Sequence, residues 1–143
     1  MARIKLDMPA DIIATYSIPV RITDINYGNH VGNNSFVAII HEARMLLLAK
    51  NGFTELDIDG VGLIMGDIVV EFKAESFYGD IIEVEISTAD VTKISFDLYY
   101  RLITKRKDET IVVANAKTGM VCYDYAAKKV VAIPEGLKKI LQP

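Results

Sequence analysis

A single helical segment that is apolar on almost every side constrains most strongly how this chain can fold. The segment follows a capping asparagine, either Asn33 or Asn34. It runs to about Asn51, and Gly52 then provides a typical helix stop. Because a helix with so little polar circumference is buried on several sides, we expect the rest of the chain to wrap around it.

The other long segments have the features of strands. One β-rich segment, residues 16–23, precedes the helix, and Pro19 inside it favours an edge strand or a bulge. The extended segments that follow the helix are residues 62–74, 81–89, 94–105 and 110–125. Ile82, Val84 and Ile86 alternate with polar residues, a period that is typical of a strand with one packed face.

A short helix opened by Pro134 ends the predicted order of elements. An antiparallel sheet wrapped around one long helix accounts for every segment, and no linker or repeat divides the chain. We therefore predict a single α+β domain over residues 1–143.

Composition and charge narrow the class of protein. Hydrophobic residues make up 51% of the chain, yet no apolar stretch approaches the roughly 18 residues of a membrane span. The excess apolar surface is better explained by an interface between subunits. A net charge of -3, with scattered lysines and arginines, gives no footprint for nucleic acid. The start of the chain lacks the apolar core of a secretion signal, so we expect a cytoplasmic protein.

Cysteine and histidine positions do not indicate a metal or a cofactor. Cys122 is the only cysteine and lies in an apolar strand pattern, which predicts a buried thiol and excludes an intrachain disulfide. His30 and His41 are not at helical ligand spacing. No phosphate-binding loop or dinucleotide fingerprint occurs. We therefore expect no metal and no organic cofactor.

The segment between the first strand and the helix concentrates polar and turn-forming residues. Residues 24–33 read DINYGNHVGN, and the helix behind them carries Glu42-Ala43-Arg44. With this order of elements, the chain resembles the hotdog-fold acyl-thioester hydrolases of the 4-hydroxybenzoyl-CoA thioesterase type over nearly its whole length. The loop and helix positions that correspond to the pattern of that family include Asp24, Asn26, His30, Val31, Asn33 and Phe36, with Asn26 at the position of the second aspartate.

The resemblance implies a hotdog fold and the hydrolysis of an acyl-CoA or acyl-carrier-protein thioester to a free acid and a thiol. It also implies a catalytic role for the second aspartate of an Asp-x-Asp pattern, where this chain has Asn26. Because an amide cannot act as a carboxylate base, a catalytically silent acyl-CoA binder stays open as an alternative. An enoyl-CoA hydratase, whose motif resembles Asp-x-Asn-Pro-x-His, is a weaker alternative.

Thioester hydrolysis requires N–H donors for the carbonyl oxygen, and the first turn of a helix supplies them. Gly32 and Asn33 lie where that turn begins. Asp24 is the only acid of the loop and is a candidate base, while His30 and Asn26 could orient a water or contact the carbonyl. Each residue also has a structural explanation, because aspartate closes turns and asparagine suits caps and left-handed positions.

Further residues complete the predicted site. The candidates for substrate contact are Tyr27, Gly28, Val31 and Phe36. The reserve acids are Glu42 on the helix and Asp67, which reaches the loop only if a neighbouring subunit brings its strand there. Arg44 and Glu42 are more simply explained as structural, because a buried charge needs a partner.

The last two expectations concern the oligomeric state and the acyl specificity. One helix against one sheet leaves strand edges exposed, so we predict a homodimer with a continuous sheet, or a tetramer of such dimers. The length of the acyl chain depends on a pocket depth that the sequence does not fix. Residues that could form either its wall or plain core are Met45, Leu48, Met65 and Phe77.

Overall fold

The computed structural model describes residues 2–143 and shows an antiparallel sheet against one long helix. The strands are β1 (Ala14–Pro19), β2 (Gly62–Phe72), β3 (Ile81–Ala89), β4 (Ser95–Arg106), β5 (Glu109–Asp124) and β6 (Lys129–Val130). The helices are α1 (Asn33–Lys50) and α2 (Glu135–Leu141), and a 3-10 turn spans Ile22–Asp24.

The sheet has the strand order β1-β3-β4-β5-β2, with β6 paired to β5. All pairings are antiparallel, and β1 and β2 form the two edges of the main path. Pro19 ends β1 at such an edge, as its missing N–H requires. The edge position that Pro19 predicts is therefore confirmed.

The core lies between α1 and the inner face of the sheet. The strand residues on that face are fully or almost fully buried, and they include Ile82, Val84, Ile86, Phe96, Leu98 and Tyr100. From the helix, Phe36, Ile39 and Ile40 pack against this face. Each fully buried side chain of this size contributes roughly 1.5–3 kcal/mol through burial. The alternation seen in the sequence is thus the pattern of the packed face.

The outer face of α1 departs from the expectation of a helix buried on several sides. Val37 is 38% exposed, and His41 and Glu42 are exposed as well. The reason is geometric, because a single sheet can cover only one side of a helix. Within one chain, the prediction of burial on several sides is wrong for this face.

Several predicted boundaries shift for local reasons. The first strand ends at Pro19 and does not continue to residue 23, because the chain turns into the 3-10 turn. The N-cap of α1 is Gly32 and not an asparagine, whereas Gly52 has a φ of 80° and stops the helix as predicted. β2 ends at Phe72, and the two-residue strand β6 was not anticipated.

The environment of Cys122 and the length of the apolar helices can be compared with the sequence predictions. Cys122 is fully buried, which confirms the predicted environment, and burial raises the pKa of its thiol to about 11. In the part of the chain that the structure describes, no helix is long and apolar enough to cross a membrane.

Candidate functional site

The loop before α1 is closed by Asp24. Its buried carboxylate accepts hydrogen bonds from the Arg21 backbone N–H at 2.8 Å and from Arg21 Nη2 at 3.4 Å. Its backbone carbonyl accepts the Gly32 N–H at 3.1 Å, which joins the start of the loop to the start of the helix. The side chain is therefore turned back onto its own turn, in the geometry of a turn-closing residue.

Asn26 organises the interior of the loop. Its backbone N–H donates to the His30 carbonyl at 2.9 Å, and its backbone carbonyl accepts the Asn29 N–H at 3.1 Å. Its side-chain Oδ1 accepts the Gly28 N–H at 2.9 Å. Asn29 itself has a φ of 65°, a left-handed conformation that asparagine tolerates better than most residues. Loop geometry alone thus explains several of the polar residues.

The first turn of α1 leaves donors free. The Gly32 carbonyl accepts the N–H groups of Ser35 and Phe36, while the Gly32 N–H is already bound to Asp24. The N–H groups of Asn33 and Asn34 have no hydrogen-bond partner within residues 2–143. The available donors therefore begin one residue later than Gly32, and they lie at the positive end of the helix dipole.

The amide of Asn26 lies beside these donors. A Cβ placed on Gly32 would be 3.5 Å from Asn26 Cβ and 3.7 Å from Asn26 Nδ2. Since Oδ1 is occupied by the Gly28 N–H, the amide turns its NH₂ end toward the start of the helix. Asn26 thus adds a side-chain donor next to the backbone donors.

His30 lies at the edge of the same region. Its Nδ1 is 3.3 Å from the Val31 carbonyl oxygen, and its Nε2 is 3.9 Å from Glu75 Oε1. In the tautomer with the proton on Nδ1, the Nδ1–H donates to that carbonyl and Nε2 is the free ring acceptor.

A cavity of about 220 Å³ connects the loop to the end of β2. The residues that line it are His30, Val31, Asn33 and Phe36 from the loop and helix, and Phe72, Lys73, Ala74 and Glu75 from the end of β2 and beyond. Phe36 and Phe72 meet edge to face, with ring centroids 5.5 Å apart. An apolar wall therefore faces polar groups across the cavity.

The structure brings together only part of the predicted site. His30, Val31, Asn33 and Phe36 line the cavity, whereas Tyr27 is fully exposed and does not. Sequence reasoning missed Glu75 and Lys73. In the sequence they are only polar residues that follow a strand. Nothing in their neighbourhood of the sequence indicates that Glu75 lies close to His30.

Glu42, the reserve acid on the helix, lies far from the loop within one chain. It is exposed on the outer face of α1, and ten residues of helix separate it from Gly32, which amounts to about 15 Å along the axis. Arg44, by contrast, is buried and donates to Glu55 Oε1 at 3.0 Å and to the Tyr100 hydroxyl at 3.3 Å. Arg44 therefore has the structural partners expected of it.

Asp67, the reserve acid on β2, lies where the register shifts between Met65 and Asp67. Its Oδ1 accepts Lys117 Nζ at 2.8 Å and the Gly119 N–H at 2.9 Å. The hydrogen bond from Lys117 lowers the pKa of Asp67 most, burial opposes this, and the Gly119 N–H lowers the pKa further. The carboxylate is thus ionised and does not line the cavity of its own chain.

The sheet wraps around α1, and the free donors at the N-terminus of this helix lie beside the cavity. This arrangement defines a hotdog protein suited to acyl thioesters. The family model of the thioesterase-like superfamily matches residues 20–141. The chain belongs to this superfamily.

Named relatives agree with this assignment. A 1,4-dihydroxy-2-naphthoyl-CoA hydrolase from Microcystis aeruginosa is 30% identical over 105 residues, which cover 71% of this chain and 73% of the relative. The solved 1,4-dihydroxy-2-naphthoyl-CoA thioesterase from Synechocystis has a TM-score of 0.79 and 21% identity, covering 89% of this chain and 93% of its own. A gentisyl-coenzyme A thioesterase structure has a TM-score of 0.75 and 21% identity, covering 90% and 99%. The expectations of a hotdog fold and of a thioester hydrolase are confirmed.

Proposed function

We propose that this chain hydrolyses acyl-CoA thioesters at the start of α1. The observation that carries the proposal is the pair of unpaired N–H groups of Asn33 and Asn34 beside the cavity. Negative charge develops on the thioester carbonyl oxygen in the transition state, and fixed N–H donors at the positive end of a helix stabilise it. A helix start without a capping side chain leaves these donors for the substrate.

Asn26 takes a different role from the aspartate of the related pattern. Its Nδ2 lies beside the start of the helix, so it donates a hydrogen bond to the same carbonyl oxygen. An amide is suited to this role, because it is a neutral donor at every pH. A carboxylate at this position would repel the developing oxyanion.

His30 is the proposed base, with Glu75 beside it. A water gives its proton to His30 Nε2 while its oxygen attacks the thioester carbonyl carbon, and Glu75, 3.9 Å away, stabilises the resulting imidazolium. When the C–S bond breaks, His30 returns the proton to the leaving thiolate. The products are a free acid and a thiol. Asp24 holds the loop in this scheme and takes no part in proton transfer.

The thiol carrier and the acyl group are argued from the relatives and the cavity wall. The curated relative is named as a CoA hydrolase with an aromatic acyl group. The edge-to-face pair of Phe36 and Phe72 offers an aromatic wall to such a group. We therefore propose an aromatic acyl-CoA as the first substrate class to test, ahead of acyl-carrier-protein thioesters. The cytoplasmic location stays a prediction.

Thiol release from acyl-CoA substrates tests the proposal. The panel contains 1,4-dihydroxy-2-naphthoyl-CoA, 4-hydroxybenzoyl-CoA and aliphatic acyl-CoAs of graded length. We expect wild-type turnover on an aromatic member, and a loss in His30→Gln of about 100-fold to 10,000-fold in kcat. His41→Gln is the matched control, because His41 is exposed on α1 and pairs with Glu55 away from the cavity.

The other outcomes separate the alternatives. Tight binding of every substrate without thiol release would support the silent binder. Loss of absorbance from an enoyl-CoA would support the hydratase. If Asp24→Asn abolishes thiol release while His30→Gln does not change it, Asp24 is the catalytic acid and the present assignment of the base is wrong.

A further inference from the structure

Residues 73–80 cross from β2 to β3 without forming a strand or a helix of their own. The start of this connection, from Lys73 to Glu75, forms one wall of the cavity. The N–H groups of Lys73 and Ala74 donate to the Val113 carbonyl at 2.9 and 3.1 Å, which holds the first two residues to the sheet. The rest of the connection, from Glu75 onward, needs side-chain contacts if it is to keep a fixed position.

One ion pair supplies this restraint. Arg106 Nε donates to Asp80 Oδ1 at 3.0 Å, and Arg106 Nη2 donates to Asp80 Oδ2 at 2.8 Å, which is a bidentate pair. The pair joins the last residue of β4 to the residue before β3. Arg106 also lies 4.9 Å over the ring of Phe77.

Each member of the pair also binds the connection directly. Arg106 Nη2 donates to the Glu75 carbonyl at 2.8 Å. Asp80 Oδ2 accepts the Ser76 hydroxyl at 2.8 Å and the Phe77 N–H at 2.9 Å. Ser76 is fully buried, so its hydroxyl depends on this carboxylate for its partner.

The same residues reach the catalytic loop. The Ser76 carbonyl accepts the N–H of Val31, the residue after His30, at 2.8 Å. The Asp80 carbonyl accepts the N–H of Val20, the residue after β1, at 2.9 Å. The Glu75 carboxylate lies 3.9 Å from His30 Nε2. Both sides of the cavity are therefore tied to one ion pair that does not itself line it.

We propose that Asp80 and Arg106 are positioning residues for the hydrolysis, which hold Glu75 and Ser76 so that His30 faces the carbonyl site at the start of α1. The inference rests on the proposed function, because the pair acts through His30 and Glu75. It goes further by assigning a role in the reaction to two residues outside the cavity.

Asp80 and Arg106 are both charged at neutral pH. Burial alone would raise the pKa of Asp80, but the hydrogen bonds from Arg106, the Phe77 N–H and Ser76 outweigh it and lower the pKa. The hydrogen bond from Asp80 in turn raises the pKa of Arg106. The pair therefore holds its position at neutral pH and loses it only in acid, as Asp80 takes up a proton.

Arg106→Lys and Asp80→Asn test the role. Lysine keeps the charge but cannot reproduce the fork that binds Asp80 and Glu75 together. We expect kcat to fall on the order of 10-fold to 100-fold, as misplacement of a reacting group by about 1 Å would cause, with KM changed by less than about 3-fold. Arg101→Lys is the matched control, because Arg101 on β4 pairs with Glu85 on β3 at 4.0 Å, away from the cavity.

A double-mutant cycle with Glu75→Gln separates positioning from general loss of structure. If the pair acts through Glu75, Arg106→Lys has little further effect on kcat in the Glu75→Gln background. If the two losses multiply, the positioning role is overturned while the proposed function stands. If Asp80→Asn does not fold, Arg106→Lys carries the test alone. Wild-type kcat in His30→Gln would overturn both the assignment of His30 as the base and the positioning role, while absence of thiol release from every substrate would overturn the proposed function itself.

Discussion

At the scale of single residues, Gly32 lies beside the free backbone donors at the start of α1. Its φ of −73° is one that any residue adopts, so backbone freedom does not explain the glycine. A Cβ there would lie 2.9 Å from Asn34 Oδ1 and would enter the space between Asn34 and the Asn26 amide. Gly32 is therefore best explained by the room it leaves beside the free donors of α1.

We expect Gly32→Ala to fold normally, because the atom it meets is the mobile end of an asparagine side chain. The added methyl group moves Asn34 and crowds the carbonyl site, so kcat/KM should fall between about 10-fold and about 100-fold, less than the loss of a complete oxyanion donor. Gly52→Ala is the opposite control. Gly52 has a φ of 80° and open space around it, so this change should cost about 1 kcal/mol of stability and leave kcat/KM unchanged. Unchanged kinetics in Gly32→Ala would move the carbonyl site elsewhere.

At the scale of elements, local patterns predicted the strands and the central helix well. Ile82, Val84 and Ile86 are buried as their alternation indicates, because a strand's side-chain period is set by its own backbone. The 3-10 turn was missed, because the β-rich composition of residues 16–23 predicted a strand up to residue 23. In the structure the Asp24 carboxylate accepts the Arg21 N–H, which closes the turn and ends the strand early. Glu75 was missed for another reason. Its approach to His30 depends on how β2, β3 and β4 are joined, which no local window of sequence contains.

The ion pair that joins the end of β4 to the start of β3 gives the fold an acid-sensitive restraint. The pKa of Asp80 in the folded chain is below its unfolded value, so its stabilising effect is complete above the unfolded pKa and is lost as pH falls through the folded pKa. We expect the free energy of unfolding of the wild type to decrease below about pH 4. Asp80→Asn should lose about 1–3 kcal/mol at pH 7, and it should lack this part of the acid dependence.

Urea unfolding at a series of pH values from neutral to acid measures both effects. Asp24→Asn provides a comparison, because its carboxylate also accepts backbone and guanidinium donors but lies in the 3-10 turn. An identical acid dependence in wild type and Asp80→Asn would contradict the role given to this pair in stability.

At the scale of the whole molecule, two surfaces of the chain carry exposed apolar side chains. β2 is an edge strand, and Met65 on it is 42% exposed. Val37, on the outer face of α1, is 38% exposed. Glu42 and Asp67 lie on these same two elements, and neither approaches the cavity of its own chain. We expect a second copy of the chain to cover both surfaces and to bring these acids toward the loop of its partner.

We expect a homodimer in which β2 pairs with its counterpart, and Val37→Glu should weaken it, because a charge on a face that becomes buried needs a partner. Sedimentation at micromolar concentration measures the change, with Ile81→Glu as the control. Ile81 is 54% exposed but lies on β3, away from the β2 edge and α1. A monodisperse wild-type monomer would contradict the expectation, and equal weakening by both variants would place the interface elsewhere.

The dimer would also determine whether a reserve acid takes part in the reaction. If Asp67→Asn lowers kcat in the intact dimer while Glu75→Gln does not, the β2 strand of the partner subunit supplies the acid. The carboxylate that assists His30 would then come from across the interface and not from the same chain.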